Sequence, residues 1–367
     1  MRKCPYCDFN SHKAGENAPR SRYLAALLED LAVEAAKAEG RPIVSIFLGG
    51  GTPSLFSPEE IGMILGDGLT GFKLADDCEI TMEANPGTIE HGSLAGYRRA
   101  GVNRLSIGAQ SFNAEILQVL GRIHGPQEIV DAYAEACDAG FNSINLDLMF
   151  ALPGQDLALA IADVEELLRL SPPHISYYQL TLEPNTVFHQ RPPPGLPDDE
   201  NAWSIQTECH RLLAGHGYEQ YEISAFAKDG QRCRHNLNYW NFGDYLAAGA
   251  GAHGKLTTTD GAIWRYSKPA NPLTYMQVAG TDNLQDKAER LLPQALGFEY
   301  MLNALRLFDG FSAAGFVSHT GLAMDAVSAE LQKAVADGLM EQANDDVWRP
   351  TAYGFRFLND LQARFLP

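Results

Sequence analysis

The apolar run Ile43-Val44-Ser45-Ile46-Phe47-Leu48 ends abruptly in Gly49-Gly50-Gly51-Thr52-Pro53, and the same pattern of a strand closing on polar or glycine residues recurs along the chain. Further strands are expected at Glu79–Glu83, Asn103–Gly108, Ser143–Phe150 and His174–Leu182. Ser21 is placed to cap a helix over 21–39, with Leu24, Leu27, Leu28 and Leu31 as its apolar stripe. Helical stretches at 126–139 and 156–170 separate later strands. Buried strands at this spacing, with helices between them, point to βαβ units and a parallel sheet or barrel. The proline-rich run Arg191–Pro197 reads as a surface loop, followed by a helix near 199–216.

With 367 residues, 45% of them hydrophobic, the chain can bury one large α/β domain and a smaller one. Its formal charge of −18 argues against binding a nucleic-acid backbone, which requires clustered Lys and Arg. No apolar stretch approaches a membrane span and no signal-peptide pattern precedes the first motif, so a cytosolic protein is expected. Six scattered cysteines do not make a disulfide framework, and only Cys4 and Cys7 have ligand-like spacing.

Polar residues gather at one end of the strands. Gly49–Thr52 follow the first, Glu83 closes the second, Gln110 closes the third and Asp147 lies near the end of the fourth. Parallel α/β architectures place ligands at the carboxyl ends of their strands. Singly, each residue has a structural reading as a turn glycine or helix cap; their shared location is the stronger signal. The glycine turn is not a phosphate loop, because no Gly-Lys-Ser/Thr follows and Pro53 removes a donor. It suits hydrogen bonding to a small zwitterion.

Cys4-Pro5-Tyr6-Cys7, Gly49–Ser54, Glu83-Ala84-Asn85-Pro86-Gly87, Gly108–Phe112, Leu120-Gly121-Arg122-Ile123-His124, Asp147-Leu148-Met149 and Leu152-Pro153-Gly154-Gln155 together resemble a radical S-adenosylmethionine protein. The resemblance spans essentially the whole chain and is nearest to the oxygen-independent coproporphyrinogen III oxidase group. Within it, His235-Asn236-Leu237-Asn238-Tyr239-Trp240 resembles the haem-chaperone branch. The family implies a partial (β/α)6 barrel holding a 4Fe–4S cluster through a Cys-x-x-x-Cys-x-x-Cys loop. S-adenosylmethionine occupies the open iron, and an electron from the cluster cleaves it to methionine and a 5′-deoxyadenosyl radical. By resemblance, Cys4 and Cys7 are cluster ligands, Gly50, Gly51 and Thr52 meet the methionyl end, and Glu83, Gln110, Arg122 and Asp147 line the rest of the cofactor. Arg122 suits a carboxylate, which its guanidinium fork pairs bidentately.

His235 is the expected haem ligand, with Cys233 a possible thiolate neighbour and His253 a second candidate more suited to a pocket wall. The cargo reading implies haem and haem-accepting respiratory proteins as partners. Coproporphyrinogen oxidation is the alternative, weakened by Phe9, which stands where those oxidases carry a further cysteine. A glutaredoxin-like dithiol is less favoured, since three residues before Cys4 cannot supply the strand that such a fold needs. The expected organisation is an α/β partial barrel over 1–230, the haem motif and a connecting segment over 231–286, and a winged-helix-like α+β domain over 287–367. The last carries a long helix over 287–308, a hairpin around Ala343–Asp346 and a final helix from Tyr353; its seven Lys/Arg against ten Asp/Glu do not make a DNA-binding face.

The resemblance puts the first cluster cysteine four residues before Cys4, one place upstream of Met1, together with a preceding strand. The expectation is a truncated beginning arising from a start site placed too late. With two thiolates on the loop as written, anaerobic reconstitution is expected to leave little cluster bound; about four irons per chain and a 4Fe–4S EPR signal after reduction would overturn that.

Overall fold

The computed structural model describes residues 3–12, 19–50, 53–87 and 93–367. The chain forms two units. One holds Met1–Glu219 and Ser224–Arg232; the other holds Gln220–Ile223 and Cys233–Pro367.

The first unit alternates helix and strand: α1 (Arg20–Ala38), β1 (Pro42–Leu48), α2 (Pro58–Leu65), β2 (Lys73–Ala84), α3 (Leu94–Ala100), β3 (Arg104–Gln110), α4 (Ala114–Val119), α5 (Pro126–Asp138), β4 (Ser143–Phe150), α6 (Leu157–Leu170), β5 (His174–Gln179), α7 (Val187–Gln190) and α8 (Asp199–Gly215). The chain passes through β6 (Glu219–Glu222) and returns to this unit in β7 (Ala225–Ala227). Strands β1 to β5 lie side by side in sequence order and parallel, and β7 pairs antiparallel with β5. Each parallel step needs a crossover, which the helices supply. Several of those helices open on side-chain caps that satisfy free backbone N–H groups: Ser57, Ser93, Asn113, Asp156 and Asp198. The result is the α/β fold expected of the sequence.

Strand alternation divides the sheet into two chemistries. Leu105 and Ile107, Ile144, Leu146 and Leu148, and Ile175 and Tyr177 point to one face, where they join Ile61, Tyr97, Val164, Leu167 and Ile205 in the main core. The intervening residues are polar, and the parallel register aligns them. Glu83 pairs with Ser106, Ser106 with Asn145, and Asn145 with His174; one step along, Gly108 pairs with Asp147 and Asp147 with Ser176.

In the second unit β8 (His253–Thr257), β9 (Ile263–Ser267) and β10 (Lys287–Arg290) form an antiparallel sheet in the order β10-β9-β8. It also contains α9 (Arg234–Trp240), α10 (Pro272–Val278), α11 (Pro293–Ala304), β11 (Phe311–Ser312), α12 (Ala313–Thr320), α13 (Asp325–Ala336), β12 (Met340–Gln342), β13 (Val347–Pro350), α14 (Ala352–Arg356) and α15 (Leu358–Ala363). Helices around the small β11-β13-β12 sheet share a core of Tyr300, Phe311, Phe316, Leu331 and Leu361.

Five local expectations change. The segment 287–308 is not one helix: 287–290 pairs with β9 and the helix starts at Pro293, whose ring fits only a first turn. The final helix is broken at Phe357, whose φ of −116° departs from helical geometry. Helix α1 begins before Ser21 and has no side-chain cap. Strand β1 is an edge strand with Val44 and Phe47 exposed, because it pairs on one side only among the described residues. Strand β5 ends at Gln179, short of Leu182. No helix among the described residues is long and apolar enough to cross a membrane.

Tyr97 links this core to the glycine turn. Its ring is fully buried, and its hydroxyl donates to Phe56 O at 2.7 Å and Ser54 O at 3.2 Å, just beyond the turn. Tyr97→Phe is expected to cost about 1–3 kcal/mol, because it leaves buried carbonyls unpaired; urea unfolding that superimposes on wild type would count against this anchoring.

Candidate functional site

The polar row at the strand ends forms one connected set. Asn145 is its hub, donating from Nδ2 to Ser106 Oγ and to Asp147 Oδ1, both at 2.8 Å. Its Oδ1 accepts from Ser176 Oγ at 3.1 Å and lies 2.6 Å from His174 Nδ1. Asp147 is thereby held at a fixed orientation. Burial raises its carboxyl pKa, against the hydrogen bonds from Asn145 and Ser176 and the attraction of Arg104 and Arg122. Two strands away, on β2, Glu83 is pushed up to about 7, chiefly by burial and then by the Asp147 charge, while the Gly50 N–H donated to it at 3.2 Å opposes the shift. Two half-buried carboxyls within electrostatic reach of one another resist double ionisation unless a cationic or hydrogen-bonding partner arrives.

Gln110 sits where β3 stops. The register with β4 slips between Gly108 and Gln110, and Gln110 takes a φ of +63°, a left-handed conformation uncommon for a residue with a Cβ. Its side chain reaches Tyr178, and its Oε1 is buried with no hydrogen bond among the described residues. Below it, Asp163 fixes the turn. Its carboxylate accepts from Phe112 N at 2.6 Å, Ser111 Oγ at 2.8 Å and Gln155 Nε2 at 3.2 Å, and burial still raises its pKa to about 6. The Leu152–Gln155 motif thus supports Gln110 from the next loop.

Arg122 joins this row to the cysteine loop. Nη2 donates to Asn85 Oδ1 at 2.5 Å and to Gly108 O at 3.2 Å, while Nη1 points to Cys4 Sγ at 3.6 Å. Its Nε is buried without a partner among the described residues. Gly108 permits this approach, since a Cβ there would stand 2.8 Å from Gln110 Nε2 and 3.2 Å from Arg122 Nη2. The cysteine loop is a turn closed by Cys7 N donating to Cys4 O at 3.2 Å, and Phe188 N donates to Pro5 O at 3.0 Å. Gly121, at φ +70°, lets Pro5 pack against it; a Cβ there would lie 3.0 Å from Pro5 Cδ. Burial raises the Cys7 thiol pKa, so it stays protonated until something stabilises the thiolate.

The structure therefore brings Cys4, Gly50, Glu83, Gln110, Arg122 and Asp147 into one network of strand ends, with Cys7 on the same turn as Cys4. Gly51 and Thr52 lie outside the described residues. Sequence reading missed Ser106, Asn145, Tyr178 and Asp163 and took Asn85 only as part of the Glu83–Gly87 motif; the sequence signal for Asn145 is its place two residues before Asp147. His235 and Cys233 belong to the second unit, on and before α9, with Cys233 Sγ 3.0 Å from His235 Nδ1. His253, exposed at the start of β8, is also in that unit.

The donor set matches a zwitterion carrying hydroxyls. Carboxylates and an orphaned amide oxygen face an ammonium or hydroxyl, and a guanidinium with a spare N–H faces a carboxylate. Two thiols on the adjoining turn are soft-metal ligands.

This fold and this set of strand-end residues define a radical SAM protein: residues 1–170 match the Radical SAM superfamily model, and residues 291–357 match the HemN C-terminal domain model. A protein of Escherichia coli (strain K12) named "Heme chaperone HemW" is 47% identical over 366 residues, spanning 100% of this chain and 95% of that one. Proteins of the same name are 45% identical in Haemophilus influenzae (100% and 95% covered) and 32% identical in Bacillus subtilis (99% and 96% covered). The chain belongs to this HemW family of radical SAM proteins. The solved structure of E. coli coproporphyrinogen III oxidase, HemN, shares the fold at a TM-score of 0.83 and 22% identity, covering 99% of this chain and 87% of that one. The cofactors of the radical SAM class are a 4Fe–4S cluster and S-adenosylmethionine.

The folded-state pKa of Glu83 lies above its ordinary 4.5. Its contribution to stability is therefore whole below pH 4.5 and is lost as pH rises through about 7. Glu83→Gln is expected to gain on wild type by up to about 3 kcal/mol across that window in the cofactor-free protein. Parallel stability–pH profiles for the two proteins would contradict the shift.

Proposed function

We propose that this chain is a haem chaperone: it binds haem and passes it to haem-accepting respiratory proteins in the cytosol. The observation carrying this reading is the full-length likeness, at up to 47% identity, to proteins named as haem chaperones. Two features of the chain support it. A histidine, a residue type that ligates haem iron, stands at His235 on α9 with aromatic residues around it. Phe9, two places after Cys7, stands where the resembling oxidases have a cysteine, so the chain lacks that donor for oxidative decarboxylation.

In this reading Cys4 and Cys7 are two of the three thiolates that a radical SAM cluster loop uses, and Gly50, Gly51, Thr52, Glu83, Gln110, Arg122 and Asp147 would hold S-adenosylmethionine. Arg122 takes the carboxylate through its Nε–H, unpaired among the described residues; Gln110 Oε1 and Glu83 accept from the ammonium or ribose hydroxyls; Asp147 accepts from a hydroxyl. When bound, the cluster and sulfonium supply one-electron chemistry. The chain's own residues orient the cofactor and neutralise its charges. Binding also relieves the mutual repulsion of Glu83 and Asp147, so the ligand is expected to draw both carboxyls into their ionised forms.

His235 is assigned to the haem iron. Its imidazole is oriented by Cys233, which is fully buried and contacts Nδ1. His235→Ala is expected to lose haem binding in a Soret titration of the purified full chain, with circular dichroism unchanged. Full absorbance and one haem per chain in that variant would remove His235 as the ligand. Anaerobic turnover of coproporphyrinogen III by wild type would replace the chaperone reading with the oxidase one.

A further inference from the structure

Asn145 and His174 are the buried members of the polar row, at 2% and 1% exposure. The Asn145 amide has a partner on every side. Its Nδ2 donates to Ser106 Oγ and Asp147 Oδ1, and its Oδ1 faces Ser176 Oγ and His174 Nδ1. A carboxamide has nearly the same shape either way round, so its partners decide which end carries the oxygen. Neither serine decides it, because a hydroxyl both donates and accepts. Ser176 moreover has one proton for two acceptors, Asn145 Oδ1 and the Asp147 carboxylate.

The orientation is settled by the two partners that have a single role. An ionised carboxylate only accepts, so with Asp147 ionised the N–H end of the amide must face it. At the other end, His174 Nδ1 lies 2.6 Å from Asn145 Oδ1. Two bare acceptors do not approach this closely, so Nδ1 carries a proton and the ring donates. The backbone of His174 is paired on both sides, with Asn145 on β4 and Ala227 on β7. This donor is therefore in place before any ligand arrives.

We propose that His174 is a positioning residue for the cofactor: it locks the Asn145 amide, and through that amide sets Asp147 to receive a ribose hydroxyl. The proposal rests on the reading above in which Asp147 meets S-adenosylmethionine, and extends it to what holds Asp147 ready. His174 acts through Asn145 and touches no ligand, whereas Asp147 is half-buried and within a ligand's reach. Without a donor at His174 the amide is free to turn. Turned, it sets an oxygen against the Asp147 carboxylate, which then keeps only the two serine hydroxyls, Ser106 Oγ being 3.5 Å from Oδ2. A carboxylate so loosely held pays in lost side-chain freedom when a ligand binds.

The test titrates the full chain by calorimetry with S-adenosylhomocysteine and with its 2′,3′-dideoxyribose analogue, which has no ribose hydroxyl to offer. Wild type is expected to prefer the hydroxylated ligand on the order of tenfold, the scale of one hydrogen bond to a charged group. His174→Phe, a ring without a donor, is expected to lose most of that preference and to bind the analogue as wild type does. His174→Asn, whose Nδ2 stands where the imidazole Nδ1 does, is expected to keep the preference. His174→Gln, whose donor reaches the Nε2 position instead, is expected to lose it. Equal weakening of both ligands, no difference between Asn and Gln, or a full preference in His174→Phe each overturns the proposal while leaving the cofactor site intact. Two wild-type results reach further. Equal affinity for the two ligands removes Asp147 from the hydroxyl contact, and binding of neither removes the S-adenosyl site, the proposal falling with each. A measurement on wild type also stands in for any variant that fails to fold. With 15N-labelled histidine, His174 is expected to show an exchange-protected proton on Nδ1, and a bare Nδ1 overturns its role.

Discussion

The site depends on parallel strand register. In a parallel sheet, residues paired across neighbouring strands face the same way, and every second residue returns to that face. Once Glu83, Ser106, Asn145 and His174 are paired across four strands, their side chains form one polar row, and the residues between them must form the apolar core. A single-residue slip in any pairing would send a carboxylate into the core and a leucine into the site. The hydrophobic pattern therefore fixes the position of the functional groups without contacting a ligand. Asn145 then locks the row by bonding to strand neighbours on both sides.

That arrangement stores electrostatic tension where a cofactor belongs. Glu83 and Asp147 are half-buried with raised carboxyl pKa values, and Gln110 keeps an oxygen unpaired among the described residues in a left-handed backbone position. Asp163 bears the cost of another buried carboxyl to hold the Gln110 turn, compensated by three donors. Each is unfavourable for folding taken alone and becomes favourable when a cationic, hydroxyl-bearing ligand enters. The cofactor-free chain is therefore less stable at its centre than its core packing would suggest.

Much of this was legible in the sequence because strand ends are marked by abrupt changes of residue type. Glu83, Gln110 and Asp147 could be assigned to one mouth from the alternation of helix and strand alone. The bulge at Gly108–Gln110 could not, since it arises from a register slip between two strands rather than from any local residue. Asn145 and Ser176 read as ordinary alternation on half-buried strands, and their bonding partners are on other strands. The helix expected over 287–308 failed for a different reason. Its apolar spacing suits either period over so short a stretch, and pairing with Arg265 and Trp264 on β9 decides for strand at its first four residues.

The paired charges around Lys255 and Arg265 have a consequence for the field around the second unit. Each of these cations already has a carboxylate partner, Asp244 or Glu299, so the pair exerts little net field beyond its immediate neighbours. In a chain carrying a formal charge of −18, these two cations therefore do little to draw an anion in from a distance, and ionic strength has little leverage on them.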